Sequence, residues 1–394
     1  MTTVRPSDRP TVRVTARGAE RWQQGHPWIY RSDVAEEPDK QPGIVPVTDR
    51  KGKFLGQALY SPKSEIRLRL LTRGKEPIDT TWWTERIAAA ARRRTGIGAS
   101  AWRVVHAEAD GLPSLVIDRY GPWIVGQLLS AGLETARADV VAGITAALAP
   151  EGILFRNDAG VRRHEGLPTE VVLAFGQVPE VVEVVEDGMK YLAAPWSGQK
   201  TGAFLDQREN RLLVGQHTRA GGRALDLFTY HGSFALHVAR KAKTVLAVDQ
   251  STEALSRGAE NAKLNGITNI EWREANAFDL LRELERRREQ FDTIALDPPA
   301  FAKTKASVER AVAGYKEVNL RAMKILAPGG VLFTSSCSYH VSRDIFSAML
   351  ADAARDSGRR IQFLAATGAA SDHPELLNVP ETGYLKGVLL RAVV

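Results

Sequence analysis

The sequence predicts a multidomain α/β protein with a small N-terminal β-barrel, a central α+β domain and a C-terminal parallel sheet covered by helices on both faces. The chain has 394 residues, more than the roughly 100 to 200 residues of an ordinary domain. Short strands separated by turn residues run from Val12 to about Leu71, whereas strands and helices alternate from Gly222 onward. The predicted domains are residues 1–74, 75–190 and 191–394.

Alternating apolar and polar residues predict the strands of the N-terminal barrel, in the segments VRVTA, GIVPVTD, FLGQALY and EIRLRLL. Gly, Pro and Asp residues between these segments supply the turns. The segment GHPWIYRSDV, from Gly25 to Val34, interleaves aromatic and basic residues, as platforms that stack nucleic-acid bases do. The alternative is that Trp28 and Tyr30 are ordinary core residues.

The middle of the chain mixes strands and helices. A helix is predicted from Asp79 to Arg94, and Gly96 to Gly98 follow it as a stop signal. Residues 134–149 predict a second helix, and strands are expected in WRVVHAE, SLVIDRY, WIVGQLL and GILFRND. The segment VVEVVEDGMKYLAAP, with a turn at Asp187 and Gly188, predicts a hairpin.

Six strands of the C-terminal sheet are predicted in RALDLF, TVLAVD, IEWREA, FDTIALD, GGVLFTSS and IQFLAA, with helices between them at about 233–240, 252–264, 308–326 and 342–357. This alternation favours parallel strands. The final stretch, YLKGVLLRAVV, follows a polar loop with no room for a crossover helix, so it should enter the sheet antiparallel. Such an ending is typical of S-adenosylmethionine-dependent methyltransferases and not of dehydrogenases with a Rossmann fold.

The composition excludes several classes of protein. With 44% hydrophobic and 25% charged residues, the chain resembles a folded soluble protein, and no stretch approaches the about 20 apolar residues of a membrane span. The N-terminal residues contain no apolar run of the secretory type. The single cysteine, Cys337, excludes an internal disulfide and a multi-cysteine zinc site. We therefore expect a cytoplasmic protein with no metal site and no membrane role.

The positive charge is concentrated at the N-terminal end. Residues 1–105 contain 20 Lys and Arg against 11 Asp and Glu, an excess of +9, whereas the net charge of the whole chain is +7. Such an asymmetry is expected of a module that follows phosphate groups. A solvated basic face is the alternative. We predict that residues 1–74 bind RNA mainly through charge.

Candidate cofactor residues lie where strands of the C-terminal sheet end, because ligands of open parallel sheets bind beyond the carboxyl ends of the strands. Asp226 and Gly232 lie in ALDLFTYHGSF, which is not a GxGxxG dinucleotide loop. Asp249 ends the next strand and is suited to accept hydrogen bonds from ribose hydroxyls, unless it only caps the following helix. Asn276 could bond the adenine amine with Phe278 near the ring, or either could be a turn residue.

The motif DPPAF, Asp297 to Phe301, follows the fourth strand. Two successive prolines fix φ and remove two backbone donors, which makes a rigid, non-helical shelf suited to a planar base. Cys337, in TSSCSYH, ends the fifth strand, which neighbours the fourth in a doubly wound sheet. The sequence therefore predicts that the thiol lies beside the shelf, although a single cysteine on a strand is often an inert core residue.

Several segments together resemble one family, the bacterial 23S ribosomal RNA 5-methylcytosine methyltransferases that carry a PUA domain. The resemblance rests on QKTGAFLDQRENR, DLFTYHGSFALHVA, DPPAF and SCS, and extends to GHPWIYRSDV, EADGLPSLVIDRYG and HPELLNVPETGYLKGVLLRAV. It covers essentially the whole chain. It implies an N-terminal PUA domain that binds RNA, a central α+β domain, a Rossmann-like seven-stranded methyltransferase domain, S-adenosyl-L-methionine as cofactor and ribosomal RNA, 23S, as partner.

The resemblance also implies roles for individual residues. Cys337 matches the family's nucleophile, with Asp297 as the second catalytic residue. Asn276 stands where relatives commonly have Asp, which should weaken or rearrange the adenine contact. The expected substrate-binding residues are Pro298, Pro299 and Phe301. The expected cofactor-binding residues are Gln207, Asp226, Phe228, Gly232, Asp249, Asn276, Ala277 and Asp297.

The expected chemistry explains why a thiol would be needed. Carbon 5 of cytosine becomes nucleophilic enough to take a methyl group once a thiolate has added to carbon 6. Asp297 could bond or protonate nitrogen 3 as the thiolate adds, whereas His231 and His340, which also lie near this edge, are more simply structural. The alternatives are a methyltransferase acting on a guanine nitrogen and a non-catalytic RNA-binding protein. The oligomeric state stays open, with a homodimer among the outcomes.

Overall fold

A computed structural model describes residues 10–37, 40–302 and 305–393. The first nine residues of the predicted N-terminal domain and Val394 of the predicted last strand lie outside the described residues. The chain divides into two compact units. The first comprises Met1–Val184, Ala193–Leu205 and Asp372–Thr382, and the second comprises Val185–Leu192, Asp206–Ser371 and Gly383–Val394. The predicted boundaries after residues 74 and 190 stay predictions.

The first unit begins with a six-stranded sheet whose order is β2-β6-β5-β4-β1-β3. All neighbouring strands are antiparallel except β1 and β4. Its side chains enclose a small core around Trp22, Ile29 and Leu68. The strands are β1 (Val12–Val14), β2 (Trp28–Tyr30), β3 (Val34–Glu36), β4 (Gly43–Thr48), β5 (Phe54–Tyr60) and β6 (Ile66–Thr72).

The prediction of strands alone was wrong for this region, because α1 (Ala16–Gln23) is a helix. Thr15 begins it by accepting a hydrogen bond from the backbone of Gly18, the usual role of an N-cap threonine. Only Gly18, Ala19 and Trp22 of this helix are buried. Two turns with so few apolar residues are too short to show a helical period in the sequence.

The second sheet of this unit has five strands in the order β11-β10-β9-β8-β7, and only β9 and β10 are parallel. Its strands are β7 (Ala101–His106), β8 (Leu115–Tyr120), β9 (Trp123–Leu128), β10 (Gly152–Asn157) and β11 (Glu170–Gly176). The predictions missed β11, whose outward side chains Val171, Leu173 and Phe175 are exposed. The helices are α2 (Thr80–Arg92), α3 (Ala131–Glu134), α4 (Arg137–Leu148) and α5 (Val161–His164).

One hydrophobic core joins the two sheets of the first unit. Leu59 and Leu71 of the N-terminal sheet are buried in the same cluster as Trp83 of α2 and Phe155 of β10. The N-terminal sheet therefore shares its core with the elements that follow it in sequence.

The predicted hairpin is present, with β12 (Val182–Glu186) paired to β13 (Met189–Ala193) around the turn at Asp187.

The second unit contains a seven-stranded sheet in the order β16-β15-β14-β17-β18-β20-β19. The strands are β14 (Arg223–Leu227), β15 (Thr244–Asp249), β16 (Ile270–Glu274), β17 (Phe291–Leu296), β18 (Leu326–Ser336), β19 (Ile361–Thr367) and β20 (Lys386–Ala392). Every pairing is parallel except those of β20, which runs antiparallel to β18 and β19. The predicted antiparallel last strand is thus confirmed.

Helices follow the sheet strands as α7 (Ser233–Ala239), α8 (Thr252–Leu264), α9 (Ala277–Arg286), α10 (Val308–Lys324) and α11 (Arg343–Ser357), and α6 (Arg208–His217) precedes them. The predictions missed α6 and α9. The larger apolar cluster packs α9, α10 and α11 on one face, and the smaller packs α6 and α7 on the other. None of the helices described here is long and apolar enough to cross a membrane.

Candidate active site

Four parallel strands of the second unit end at one edge of the sheet. The register pairs Leu227 of β14 with Val248 of β15 and with Leu296 of β17, and pairs Leu296 with Thr334 of β18. The predicted site residues Asp226, Asp249, Asp297 and Cys337 lie at or within three residues of these paired positions. Parallel pairing alone therefore collects the acidic residues and the thiol at one edge.

The loop after β14 has an unusual backbone. Phe228, Tyr230 and Gly232 all have positive φ, at 62°, 50° and 78°, which is costly for the two aromatic residues. A Cβ atom on Gly232 would lie 2.4 Å from the ring of Trp272, and one on Gly258 of α8 would lie equally close to it. Gly232 is therefore required by its backbone conformation and by the packing of an indole ring.

Asp226 is a buried acid inside this loop, with 1% of its surface exposed. Its Oδ2 accepts hydrogen bonds from Thr229 Oγ1 at 2.5 Å and from the backbone N–H of Ala235 at 2.8 Å. Its Oδ1 is buried without a hydrogen-bond partner among the described residues. Burial, opposed by these hydrogen bonds and assisted by the charges of Asp297 and Asp249, raises the pKa of Asp226 to about 7.

Asp249 connects two strand ends. Its Oδ2 accepts from the backbone N–H of Tyr230 at 2.9 Å, and its Oδ1 accepts from that of Ser251 at 3.0 Å. The side chain that caps α8 belongs to Ser251, which accepts from Ala254. The interpretation of Asp249 as the helix cap is therefore wrong, and its carboxylate is half-buried beside the strained loop.

The residues after β16 begin α9. Asn276 is the N-cap, and its Oδ1 accepts from the backbone N–H groups of Phe278 and Asp279. The amide oxygen is thus used for capping, so Asn276 presents its Nδ2 group as a donor where an Asp would present only acceptors. The side chain of Ala277 is buried in the core beneath this turn, which leaves its backbone as the part that a ligand could contact.

The DPPAF shelf packs differently at its two prolines. Pro298 is buried and Pro299 is exposed. The ring of Phe301 lies 4.6 Å from that of Tyr315, 5.9 Å from Phe278 and 6.4 Å from Phe228, measured between centroids. The half-buried Phe301, predicted to bind substrate, thus joins the shelf to aromatic residues that follow β14 and β16.

The carboxylate of Asp297 is held by two side chains. Its Oδ1 accepts from Gln207 Nε2 at 2.8 Å and from the hydroxyl of Ser335. Gln207 is itself fixed by Asn210 Nδ2, which donates to Gln207 Oε1 at 2.6 Å and to the carbonyl of Gly368. Gln207, predicted to contact the cofactor, therefore orients the acid of the DPPAF motif.

Cys337 lies between two serines that bind the shelf. Ser335 donates to Asp297, and Ser338 Oγ accepts from the backbone N–H of Ala302 at 3.1 Å. The hydroxyl of Tyr315 lies 2.9 Å from Ser338 Oγ. Burial above all raises the pKa of Tyr315, and the negative charge of Cys337 raises it further. The predicted proximity of thiol and shelf is thus built by the serines on either side of Cys337, which is half-buried.

Sequence reasoning missed a lysine at this strand tip. Lys386, the first residue of β20, pairs in register with Ser336 and is 5% exposed. Its Nζ donates to the carbonyls of Ser338 at 2.7 Å and Tyr384 at 2.8 Å. The signal was available, because an antiparallel last strand must begin where β18 ends, and Lys386 is a charge at the start of an apolar strand.

The two histidines near the site have different surroundings. The ring of His231 stacks on Tyr230, with centroids 3.6 Å apart. Burial and the charge of Arg257 lower the pKa of His231 to about 4, so it is neutral at pH 7. His340 follows Cys337 by three residues and packs edge-on against the exposed Tyr339. These contacts agree with structural roles for both.

The aromatic residues considered as an RNA platform lie in the first unit. Trp28 is half-buried, and its indole N–H donates to Glu108 Oε1 at 2.9 Å. The guanidinium of Arg21 lies 4.9 Å from the ring of Tyr30, which is also half-buried. Trp28 and Tyr30 thus each contact another residue of the fold and stay partly exposed. These contacts do not decide between a platform that stacks RNA bases and ordinary core residues.

Comparison with protein families identifies the chain. Residues 12–73 match the profile of a PUA-like domain. Residues 156–391, more than half of the chain, match the profile of S-adenosylmethionine-dependent methyltransferases. The chain belongs to the S-adenosylmethionine-dependent methyltransferases. Its cofactor is therefore S-adenosylmethionine.

Individual relatives and solved structures support the assignment of the chain to this family. A ribosomal RNA large subunit methyltransferase I from Tolumonas auensis is 39% identical over 93% of this chain and 96% of its own, and one from Aeromonas salmonicida is 40% identical over 93% and 95%. A solved S-adenosylmethionine-dependent methyltransferase from Streptococcus mutans has a TM-score of 0.82 at 20% identity, covering 97% of this chain and 99% of its own. A methyltransferase complexed with SAH matches equally well, at 21% identity.

The residues of the site fit this cofactor. S-adenosylmethionine carries a sulfonium and an ammonium, and the carboxyl groups of Asp226, Asp249 and Asp297 lie at this edge, where the charges of Asp249 and Asp297 help to raise the pKa of Asp226. The unsatisfied Oδ1 of Asp226 needs a donor. Among the residues that the structure describes, no group of three or more His, Cys, Asp or Glu could hold a metal ion.

Proposed function

We propose that this methyltransferase forms 5-methylcytosine in large-subunit, 23S, ribosomal RNA through a covalent adduct between Cys337 and carbon 6 of the cytosine. The observation that carries the proposal is the attachment of Ser335 and Ser338, on either side of the thiol, to Asp297 of the shelf and to Ala302, the residue directly after it. The names of the relatives support ribosomal RNA as the substrate. A substrate of this kind implies action in the cytoplasm.

The residues then divide into two groups. Asp226 and Asp249 would accept hydrogen bonds from the cofactor, and Phe228, Asn276 and the backbone of Ala277 would line the side of its adenine. Gly232 permits the loop that brings these groups together. Pro298 and Pro299 would support the target base, and Phe301 would hold that shelf against the cofactor side. When bound, S-adenosylmethionine supplies an electrophilic methyl group.

The chain's own groups carry the other steps. The Cys337 thiolate forms a bond to carbon 6, and the displaced π electrons make carbon 5 nucleophilic. Asp297, held by Gln207 and Ser335, accepts a hydrogen bond from the exocyclic amine of the base or from a protonated nitrogen 3. After methylation a base removes the proton of carbon 5, the sulfur–carbon 6 bond breaks, and the thiolate is regenerated.

A methyl group on carbon 5 is the product that tests this function. Large-subunit ribosomal RNA from a strain that lacks the gene should be digested and analysed by mass spectrometry. We expect one 5-methylcytosine to disappear and to return when the purified enzyme and S-adenosylmethionine are added. Loss of a methylguanine instead would support the guanine-nitrogen alternative, and no change in the RNA would leave a non-catalytic RNA-binding protein.

A further inference from the structure

A buried lysine, Lys386, contacts the residues on both sides of Cys337 in the sequence. The register pairs Lys386 with Ser336, the residue before Cys337, and Nζ donates to the carbonyl of Ser338, the residue after it. The second acceptor of Nζ is the carbonyl of Tyr384. The ammonium group is therefore held at the end of β18, one hydrogen bond from the backbone carbonyl of the residue after Cys337.

Burying this charge needs a reason. Two carbonyl oxygens satisfy donors of the ammonium group, but neither cancels its charge, and burial of a charge is costly. Lys386 begins a strand whose next buried residues are apolar, from Val388 to Leu390. A methionine of similar length would fill the same space at lower cost. Lys386 therefore supplies a positive charge at this strand tip that a methionine would not.

The charged and titratable groups around the thiol come from several elements. Asp297, at the end of β17, is hydrogen-bonded to Ser335, two residues before Cys337. Tyr315, in α10, is hydrogen-bonded to Ser338, the residue after Cys337. From the segment before β20, Tyr384 donates to Asp206 at 2.6 Å. A carboxylate near a thiol opposes its ionisation. Lys386, from β20, is the cation among these groups and offsets that effect.

We propose that Lys386 is the positioning residue that keeps Cys337 a thiolate, an inference that rests on the proposed role of Cys337 as nucleophile. The thiol's S–H bond breaks, its proton passes to water, and the electron pair stays on sulfur. Lys386 remains protonated throughout and is neither acid nor base. It acts by charge through the strand tip, as cations beside reactive cysteines do.

Alkylation measures the ionisation directly, because the chain contains a single cysteine. The rate of modification of the intact protein by iodoacetamide, followed by mass spectrometry from pH 5 to 10, gives both the midpoint of ionisation and the limiting rate at high pH. We expect a midpoint below the about 8.5 of a free thiol. A wild-type midpoint at or above that value overturns the proposal.

Variants separate charge from hydrogen bonding. Lys386→Gln keeps an N–H donor for the carbonyls but removes the charge, and it should raise the midpoint by about one unit, which lowers the rate about tenfold at pH values well below the wild-type midpoint. Lys324→Met is the control, because Lys324 lies at the far end of α10 and donates to Glu285; its midpoint should match the wild type. A purely structural role for Lys386 predicts instead a changed limiting rate with an unchanged midpoint.

The outcomes distinguish this inference from the proposed function. An unchanged midpoint in folded Lys386→Gln overturns the role of Lys386 and leaves the nucleophile intact. Cytosine carbon 5 methylation by a folded Cys337→Ala protein overturns the proposed function, whatever the alkylation profile. Should Lys386→Gln not fold, Lys386→Arg decides: it keeps the charge, and a midpoint that rises to that of a free thiol contradicts the proposal.

Discussion

At the scale of single residues, Asp226 is an acid whose buried environment disfavours its charged form. Burial holds its pKa at about 7, so the cofactor-free protein at pH 8 contains a charged carboxylate with 1% exposure. Such a site is unfavourable until a donor or cation reaches it. The fold thus accepts a cost at this position that cofactor binding can offset.

We predict that Asp226→Asn stabilises the cofactor-free protein in a way that depends on pH. The folded-state pKa is raised above the unfolded one, so the penalty is absent below about pH 4, grows as pH rises, and is complete above about pH 7. The gain in free energy of unfolding at pH 8 should approach about 4 kcal/mol at most. Urea unfolding at pH 5 and pH 8 measures it.

The same variant should bind S-adenosylmethionine more weakly, since Asn replaces the acceptor that we propose binds the cofactor with a donor or a neutral oxygen. Calorimetric titration at pH 8 checks this loss. A stability gain of equal size at pH 5 and pH 8 would show that folding does not raise the pKa of Asp226, and unchanged affinity would remove Asp226 from the cofactor site.

The individual site residues could be predicted from the sequence only where position in the sheet decides them. Asp249, Asp297 and Cys337 follow strand ends, and parallel pairing brings strand ends together whatever the intervening loops do. Gln207 was expected only from the family resemblance, and Lys386 was missed although it begins the antiparallel last strand. Their bonds to Asp297 and to the carbonyl of Ser338 join segments 90 and 48 residues apart.

At the scale of elements, the sheet was predictable because its central strands are largely apolar runs that end in turn or acidic residues. The missed elements lack that contrast. The strand β11 exposes alternate apolar side chains, and α9 begins directly at its cap, Asn276, with only Ala275 between that residue and β16. A strand and a helix so close leave little loop in the sequence to mark the boundary.

Trp272 couples α8 to the loop after β14, and its packing is testable. Gly258→Ala would place a Cβ atom 2.4 Å from the indole ring, and overpacking of this kind costs about 1–3 kcal/mol. The control is Gly314→Ala in α10, whose Cβ would meet Phe301 at 3.4 Å and should be neutral or stabilise by up to about 1 kcal/mol. Thermal unfolding of both compares them.

If Gly258→Ala were as stable as its control, Trp272 would be free to shift, and the need for glycine at position 232 would rest on its φ of 78° alone. Loss of stability without loss of cofactor affinity would show that the indole supports the helix and not the binding loop.

At the scale of the whole molecule, the concentration of positive charge near the N-terminus is the feature that predicts RNA binding. The shared core, which includes Leu59 and Leu71, means that deleting residues 1–74 would uncover apolar surface. Substitution of exposed charges is therefore the sounder test. Arg50, Lys51 and Lys53 are exposed together on the turn between β4 and β5.

We predict that replacing Arg50, Lys51 and Lys53 with Gln weakens RNA binding and reduces its dependence on salt, since each lost phosphate contact lowers the slope of log K against log salt by about 0.7 to 0.9. The matched control replaces the exposed Arg286, Arg287 and Arg288, at the end of α9, with Gln. Equal loss in both variants, measured by filter binding, would show that net charge and not its location matters.

The homodimer stays a prediction.

The covalent adduct at Cys337 is the central claim, and RNA that carries 5-fluorocytosine tests it most directly. Fluorine on carbon 5 cannot leave as a proton, so the enzyme should stay bonded to carbon 6 after methyl transfer. We expect wild-type protein, S-adenosylmethionine and fluorinated large-subunit RNA to give a complex that survives denaturing electrophoresis, and Cys337→Ala to give none while still binding cofactor and RNA. A complex formed equally by Cys337→Ala, or no complex with active wild-type enzyme, would contradict the account.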